Sequence, residues 1–164
     1  MNQSQKVLVA GTGLSGTAAA RLVLDRGGEV VLYDANASLK EQEIKAKFDK
    51  EAKVSVVLGE MKRSDLLGVE LCIISPGIPL DSPFVAVVDD AKIPILGEIE
   101  LAYQCSLGRL AAITGTNGKT TTTALTGEIL KAKYEETFVV GNIGDPYTSK
   151  VLEMTEDSVT VAEV

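Results

Sequence analysis

The sequence predicts an α/β protein in which short parallel strands alternate with helices, and three observations lead to that fold class. Short apolar runs recur along the chain and are separated by polar stretches of helical composition. Two glycine-containing turns, at residues 11–16 and 115–118, each stand between an apolar run and a helical stretch. Hydrophobic residues make up 45% of the 164 positions, which is enough for a core in one domain or two small ones.

The chain opens with a βαβ pattern. Residues 6–10 predict a buried strand, residues 11–16 (Gly-Thr-Gly-Leu-Ser-Gly) a tight turn, and residues 17–26 a helix. Residues 29–33 predict the next strand, which finishes at Asp34. An acidic residue about 20 positions after such a turn binds a ribose hydroxyl in Rossmann-like domains. The pattern therefore predicts a nucleotide site without identifying the nucleotide, and a tight turn with no ligand is the structural alternative.

Six further elements complete the predicted Rossmann-like parallel-sheet domain, residues 1–97. They are a helix at 39–48, a strand at 54–58, a short helix at 63–67, a strand at 71–74, a helix at 83–91 and a strand at 93–96. The charges between residues 35 and 53 are interpreted as a solvated face. Pro76 and Pro79 end the pairing of strand 71–74, so residues 75–79 (Ser-Pro-Gly-Ile-Pro) turn at the carboxyl edge of the sheet, where open α/β sheets bind ligands. An ordinary Ser-Pro-Gly turn is the alternative.

Residues 115–123 (Gly-Thr-Asn-Gly-Lys-Thr-Thr-Thr-Thr) are the most informative stretch of the chain. They follow a predicted strand at 110–113 and precede a predicted helix at 124–133. Backbone N–H groups and the positive helix end would face a phosphate, Lys119 would add a mobile charge, and the Thr120 hydroxyl could ligate Mg²⁺. The general P-loop pattern has glycine where this sequence has isoleucine, so we interpret the stretch as a variant loop for an ATP-type triphosphate. A polar turn with a threonine helix cap is the alternative.

The remaining elements predict a second, P-loop-type α/β domain that starts at residue 98. They are a helix at 98–104, a strand at 137–140, a helix at 146–154 and a strand at 158–162. Counting the strand before the phosphate loop, only three strands are present, whereas sheets average about 5–6. We therefore expect residues 98–164 to be the incomplete start of a domain and the chain to be an N-terminal fragment.

Composition excludes several classes of function. The chain has 16 basic and 23 acidic residues, a net charge of −7, and no basic stripe, which argues against a nucleic-acid partner. No apolar run approaches the ~18 residues of a membrane span. Cys72 and Cys105 are far apart and predict two buried thiols in a reducing cytoplasm. The sequence contains no histidine, so its chemistry would depend on phosphate electrostatics, carboxylates and Mg²⁺.

Two nucleotide-type turns in this order resemble the Mur ligase family of peptidoglycan synthesis. The motifs that carry the resemblance span nearly the whole chain: residues 11–16, 33–34 (Tyr-Asp), 75–79, 97–100 (Gly-Glu-Ile-Glu), 115–120 and 141–144 (Gly-Asn-Ile-Gly). The Ser-Pro-Gly and Gly-Asn-Ile-Gly motifs resemble the members that add D-glutamate. The alanine-adding members are less similar around Ser75 and Asn142.

The resemblance implies an ATP- and Mg²⁺-dependent acid–amino-acid ligase, cytoplasmic and monomeric, that joins D-glutamate to UDP-N-acetylmuramoyl-L-alanine through an acyl phosphate. The first domain would bind the UDP part of the substrate rather than NAD. The implied UDP-binding residues are Leu14, Ser15, Asp34, Asn36, Ser75, Gly77 and Asn142. The implied ATP-binding residues are Gly115, Thr116, Asn117, Gly118, Lys119, Thr120 and Thr121. Lys119 and Thr120 would be catalytic, and Thr120 and Glu163 would hold Mg²⁺.

Other function classes stay open on the sequence. The dinucleotide-binding domain of a dehydrogenase would explain residues 11–34 and leave residues 115–121 without a role. A P-loop NTPase or a folylpolyglutamate-type ligase would explain the second loop and leave the first without one. A nucleotide-binding module without catalysis is a further alternative, because the family's later metal-binding histidine, modified lysine and C-terminal domain are absent from the 164 residues.

Overall fold

The computed structural model describes residues 4–164 and divides into two compact units, one that ends at Glu98 and one that begins at Ile99. In both units the strands of the described chain pair in parallel and alternate with helices. The predicted α/β fold class with parallel sheets is therefore confirmed.

The first unit is built on a five-stranded sheet with the order β3-β2-β1-β4-β5. Its strands are β1 (Lys6–Ala10), β2 (Glu29–Asp34), β3 (Val54–Leu58), β4 (Leu71–Ile74) and β5 (Ile95–Gly97). The apolar run of β1 is buried from its second residue onward, as expected for a central strand covered on both faces.

The chain reverses its direction across the sheet between β1 and β4. Strands β2 and β3 lie in succession on one side of β1, and β4 then pairs with the other side of β1. Ala10 is in register with both Tyr33 of β2 and Ile74 of β4, so the carboxyl ends of these three strands lie level. Such a switch point opens a crevice that binds ligands in α/β proteins. The segments that follow β1, β2 and β4 all start there.

The helices of this unit are α1 (Leu14–Asp25), α2 (Glu41–Lys45) and α3 (Pro83–Asp90), with a 3₁₀ turn at Arg63–Leu66. On α1, three consecutive alanines, residues 18–20, are buried, and their small side chains let the helix approach the sheet closely. On α3, Phe84 is buried and its ring lies 4.7 Å from the ring of Tyr33, centroid to centroid. Pro83 begins α3, a position where its missing N–H is not needed.

The second unit contains a three-stranded sheet with the order β6-β8-β7. Its strands are β6 (Arg109–Ile113), β7 (Thr137–Gly141) and β8 (Val159–Glu163). Its helices are α4 (Glu98–Cys105), which crosses the division, α5 (Lys119–Lys131) and α6 (Tyr147–Lys150), with a 3₁₀ turn at Val151–Glu153. The middle strand β8 is buried along its whole length, whereas the edge strand β6 exposes Leu110.

Two helices begin earlier than the sequence predicted, and both do so next to a glycine. Helix α1 starts at Leu14 rather than at residue 17, because Gly13 has extended backbone angles and acts as the N-cap. Helix α5 starts at Lys119 rather than at residue 124, so the four threonines lie in its first turns. Their low helix propensity amounts to less than about 0.7 kcal/mol per residue, which tertiary packing overrides.

Other predicted boundaries were also wrong. The helix expected at 39–48 is reduced to Glu41–Lys45, and the strand expected from residue 93 begins at Ile95. The helix expected at 146–154 is a short α-helix followed by a 3₁₀ turn. No helix within residues 4–164 is long and apolar enough to cross a membrane.

Both thiols are buried, as predicted. Burial raises the pKa of Cys72 to about 12, because an apolar environment disfavours the thiolate. Cys72 lies on the interior strand β4 and packs in the hydrophobic core. It is therefore a core side chain and not a nucleophile.

Candidate functional site

The first glycine-rich turn joins β1 to α1, and its shape depends on two glycines. Gly11 has a φ of +100° and donates its N–H to the Tyr33 carbonyl oxygen at 2.7 Å. A Cβ added to Gly16 would overlap the Gly11 carbonyl oxygen, so only glycine lets α1 begin this close to the turn. The turn therefore presents backbone N–H groups at the start of a 12-residue helix, where the helix dipole favours an anion.

Asp34 ends β2 and is bonded to this turn. Its Oδ2 accepts hydrogen bonds from Thr12 Oγ1 at 2.6 Å and Thr12 N at 3.2 Å, and its Oδ1 accepts one from Asn36 N at 3.0 Å. Partial burial raises the pKa of Asp34, but the hydrogen bonds from Thr12 and Asn36 outweigh burial, and the pKa lies below its ordinary value. Asp34 is therefore an ionised carboxylate. It accepts three bonds, and a carboxylate has about four lone-pair sites, so it retains capacity for a ligand donor.

Ser75 connects the ends of β4 and β1 at the switch point. Its Oγ donates to the Ala10 carbonyl oxygen at 2.9 Å, and its N–H donates to the same oxygen at 3.3 Å. A Cβ added to Gly11 would lie 2.9 Å from Ser75 Oγ, so the glycine-rich turn and the Ser75 segment are directly adjacent. Gly77 in the same segment is exposed. The structure thus brings the turn, Asp34 and Ser75 together at one edge of the sheet.

Three other predicted UDP-binding residues surround this edge. Leu14, the first residue of α1, is 82% exposed and places an apolar side chain beside a polar turn. Ser15 follows it and is half-buried. Asn36 is exposed, and its Oδ1 accepts a hydrogen bond from Ser38 N at 3.0 Å. An apolar side chain beside hydrogen-bonding groups is the combination that a nucleoside base requires.

The second glycine-containing turn joins β6 to α5. Gly118 has a φ of +75° and is the N-cap of α5, and Gly115 has a φ of +145°. Lys119 is the first residue of α5, and its Nζ donates to the Gly115 carbonyl oxygen at 2.7 Å. Thr116, Asn117, Thr120 and Thr121 are exposed. The loop therefore presents an ammonium group and hydroxyl groups at the positive end of a 13-residue helix.

Glu163 is the last residue of the middle strand β8, in register with Ile113 and Gly141 of the two neighbouring strands. It is only 5% exposed, and its Oε2 is buried without a hydrogen-bond partner among the described residues. A buried carboxylate oxygen without a partner is costly unless a cation or donor compensates it.

This arrangement fits Mg²⁺. No cluster of three or more acidic or cysteine side chains that could hold a metal occurs in the described part of the chain. Mg²⁺ binds through one or two protein oxygens, phosphate oxygens and water rather than through an all-protein cage. The Glu163 carboxylate and the Thr120 hydroxyl are the candidate ligands.

Asn142 follows β7 in the second unit. Its N–H donates to the Glu163 carbonyl oxygen at 3.1 Å, and its side chain is exposed. A Cβ added to the preceding Gly141 would overlap that same carbonyl oxygen, so glycine is required for the close approach of β7 to the end of β8. The end of β8 and the Gly141–Asn142 turn are therefore adjacent.

Sequence reasoning missed Thr12, although it lies within a motif that the sequence identified. The middle residue of the first Gly-X-Gly triplet was not considered, and its hydroxyl makes the shortest of the three bonds to Asp34. A hydroxyl residue there, followed by an acid at the end of the second strand, is the sequence signal that could have identified the pair.

Two stretches of the chain match known protein families. Residues 5–97 match the family described as Mur ligase MurD-like, N-terminal domain, and this range covers more than half of the chain. The chain belongs to the Mur ligase family. Residues 113–164 of this Mur ligase chain match the Mur ligase middle domain, so the two glycine-rich turns lie in two different family domains.

Curated relatives and solved structures agree with this assignment. The chain is 48% identical over 162 residues to the UDP-N-acetylmuramoylalanine–D-glutamate ligase of Lachnospira eligens, and 48% identical over 160 residues to that of Lachnoclostridium phytofermentans. These alignments cover 99% and 98% of the chain and 36% and 35% of the relatives. The chain thus spans about a third of their length.

Among solved structures, the UDP-N-acetylmuramate–alanine ligase MurC of Thermotoga maritima is similar in fold. The alignment covers 96% of this chain and 36% of the MurC chain. The TM-score is 0.53 and the sequence identity is 20%. At this identity the likeness shows the Mur ligase fold alone.

Proposed function

We propose that this chain supplies the UDP-substrate-binding domain, residues 1–97, and the first part of the ATP-binding domain, residues 98–164, of an ATP-dependent ligase. The ligase would join D-glutamate to UDP-N-acetylmuramoyl-L-alanine. The observation that carries the proposal is the presence of two glycine-rich turns, one bonded to an ionised Asp34 and the other carrying Lys119. Relatives named for this reaction are 48% identical to the chain.

In the first unit, the turn would hold the uridine diphosphate. The N–H groups at the start of α1 suit the diphosphate, and the Asp34 carboxylate suits an N–H of the base or a ribose hydroxyl. Leu14 would cover an apolar face of the base. Ser75 and Gly77 would line the opposite side of the crevice, since the Ser75 segment lies against Gly11. Asn142 is proposed to bind nearer the sugar-phosphate end.

In the second unit, residues 115–121 would bind the triphosphate of ATP. Lys119 would neutralise the β- and γ-phosphates as a mobile point charge. Mg²⁺, held through Thr120 and Glu163, would neutralise charge that develops between these phosphates. The buried, unpartnered Glu163 oxygen supports this role because a cation would compensate it.

The proposed reaction has two steps. A substrate carboxylate oxygen attacks the γ-phosphorus, the bond from this phosphorus to the bridging oxygen breaks, and an acyl phosphate and ADP form. The amine of D-glutamate then attacks the acyl carbon, phosphate leaves with the carboxylate oxygen, and the amine loses a proton. Positioning and charge neutralisation account for most of such catalysis, which matches a site of backbone amides, one lysine and a metal ion.

Calorimetric titration of the chain tests the substrate class. We expect UDP-N-acetylmuramoyl-L-alanine and UDP to bind and NADH not to bind. Asp34→Asn should weaken both interactions, whereas Asp89→Asn, at an exposed position near the end of α3, serves as the matched control and should not. Binding of NADH without binding of a uridine nucleotide would show that the first domain has been assigned to the wrong ligand.

A further inference from the structure

Lys47 lies against the first glycine-rich turn, although it is distant from the turn in sequence. Its Nζ donates to the Thr12 carbonyl oxygen at 3.0 Å. Its own carbonyl oxygen accepts a hydrogen bond from the Arg21 guanidinium of α1 at 2.8 Å. The segment after α2 is therefore connected to the turn by a side chain and to α1 by its backbone. These two bonds hold an ammonium group beside the turn.

The charge of Lys47 is not compensated by an acid. Three other lysines of the same unit form ion pairs: Lys40 with Glu43, Lys45 with Glu41 and Lys53 with Glu29. Within residues 4–164, no carboxylate oxygen lies within 4.0 Å of Lys47 Nζ, and its hydrogen-bond partner is a neutral carbonyl. An ammonium has three N–H donors, so Lys47 retains donors for an anionic ligand.

Lys119 makes the same kind of hydrogen bond at the second turn. Its ammonium donates to the carbonyl oxygen of Gly115, a residue of its own loop, at 2.7 Å. In each glycine-rich turn, then, a lysine that lacks an acidic partner donates to a backbone carbonyl of the turn. The two lysines differ in origin, because Lys119 belongs to the phosphate-loop motif and Lys47 comes from a separate segment.

Asp34 places a negative charge beside the first turn. Its ionised carboxylate is bonded to Thr12, and it would repel a diphosphate at the same turn. The whole chain, with a net charge of −7, adds to this repulsion. The Lys47 ammonium lies 3.0 Å from the Thr12 carbonyl oxygen. A phosphate bound at the turn would interact with it, because charges within the Debye length of about 8 Å at physiological ionic strength are only partly screened.

We propose that Lys47 is the positive charge of the first glycine-rich turn and that it binds the diphosphate of the uridine nucleotide. The proposal rests on the proposed function, since it concerns the same site. Lys47 would offset the charge of Asp34, so that one carboxylate can recognise the nucleoside while the turn holds an anion.

Titration of the chain with two probes, UDP and uridine, tests the proposal. Lys47→Met removes the charge and keeps most of the apolar stem, and Lys47→Arg keeps the charge. Lys45→Met is the matched control, because Lys45 lies two residues away and is ion-paired to Glu41 at 2.6 Å. We expect Lys47→Met to bind UDP about tenfold more weakly, with a smaller dependence of affinity on salt, and to bind uridine like the original chain. Lys47→Arg should restore most of the UDP affinity.

Each other outcome has a defined meaning. Equal weakening of UDP and uridine by Lys47→Met would overturn the proposal, because Lys47 would then only support the shape of the turn. Unchanged UDP affinity would overturn it as well. If the unmodified chain binds neither probe, the proposed function fails first, and the two failures are therefore distinguishable. Thermal unfolding of each variant verifies that the unit remains folded.

Discussion

The Asp34 carboxylate accepts two hydrogen bonds from Thr12, one from Oγ1 at 2.6 Å and one from the backbone N–H at 3.2 Å. These bonds join the carboxyl end of β2 to the glycine-rich turn after β1, across 22 positions of sequence. Asp34 thus has two roles that are usually considered separately. It stabilises the turn, and it presents a negative oxygen at the edge of the sheet where a nucleoside would bind.

Replacing Thr12 with valine tests the first of these roles, the stabilisation of the turn. Thr12→Val keeps the shape of a side chain that is 8% exposed and removes the hydroxyl that donates a hydrogen bond to the Asp34 carboxylate. Hydrogen bonds to charged groups contribute about 1.5–3 kcal/mol, so we expect the free energy of unfolding to fall by about 1–2 kcal/mol. Thr12→Ser, which keeps the hydroxyl, should lose much less. Urea unfolding measures the free energy of unfolding of both variants. Equal losses in Thr12→Val and Thr12→Ser would show that packing of the methyl group matters more than the hydrogen bond to Asp34.

Asp34 should also make stability depend on acid pH. Its pKa in the folded chain is lowered, so its stabilising contribution is complete above the unfolded value of about 3.9 and is lost as pH falls through the lower, folded value. Asp34→Asn lacks this pH-dependent contribution, because an asparagine side chain has no carboxyl group to protonate. We therefore expect the difference in free energy of unfolding between the original chain and Asp34→Asn to shrink as pH falls below about 4, toward the lower pKa of Asp34 in the folded chain. A difference independent of pH would contradict this reasoning.

Several elements could be predicted because their signals are local. Strands β3 and β4 have the predicted bounds, since each is a short apolar run between polar or glycine residues. The starts of α1 and α5 could not be predicted in the same way. In both, a glycine with a particular backbone conformation begins the helix, and that conformation depends on the sheet to which the turn is attached.

The site was predictable as a set of motifs and not as a set of contacts. The turn, Asp34 and Ser75 each follow a strand, and topology brings the ends of parallel strands together. The bonds of Thr12 and Lys47 depend instead on pairs 22 and 35 positions apart. The charges between residues 35 and 53, Lys47 among them, are interpreted from the sequence as a solvated face, because a charge-rich segment does not by itself indicate a contact 35 positions away.

Glu163 should limit the stability of the second unit. Its Oε2 is buried and unpartnered, and removing such a charge usually stabilises the folded state. We expect Glu163→Gln to raise the free energy of unfolding by about 1 kcal/mol in the presence of EDTA. With Mg²⁺ and ATP, the original chain should gain stability by mass action and the variant should gain less. Chemical denaturation under both conditions measures the gain in free energy of unfolding. An equal gain in the original chain and the variant would show that Glu163 does not bind the metal.

The Thr123 hydroxyl on α5 is buried and, like Glu163 Oε2, has no hydrogen-bond partner among residues 4–164. Valine has nearly the same shape and helix propensity as threonine, and it has no polar atom to desolvate. Thr123→Val should therefore be neutral or stabilising, by up to about 1 kcal/mol. Thr122→Val, at an exposed position of the same helix, is the matched control and should change stability by only a few tenths of a kcal/mol. A clear loss in Thr123→Val alone would mean that the hydroxyl has a partner in solution.

Lys119→Ala should separate the two nucleotide sites. Lys119 belongs to the loop before α5 and donates to the Gly115 carbonyl oxygen at 2.7 Å, whereas Asp34 and Thr12 belong to the other unit. In a full-length ligase that carries this sequence, we expect kcat/KM to fall at least about 10²–10³-fold, the usual loss when one stabilising donor is removed. The Kd of UDP-N-acetylmuramoyl-L-alanine should stay within about twofold, because Lys119 is proposed to bind the phosphates of ATP, whereas the turn and the Asp34 carboxylate proposed to hold the uridine diphosphate belong to the first unit. Lys131→Ala, at the opposite end of α5 and paired with Glu128, is the control that should retain activity. Normal turnover with a large loss of UDP-substrate binding would mean that the two loops have been assigned to each other's ligands.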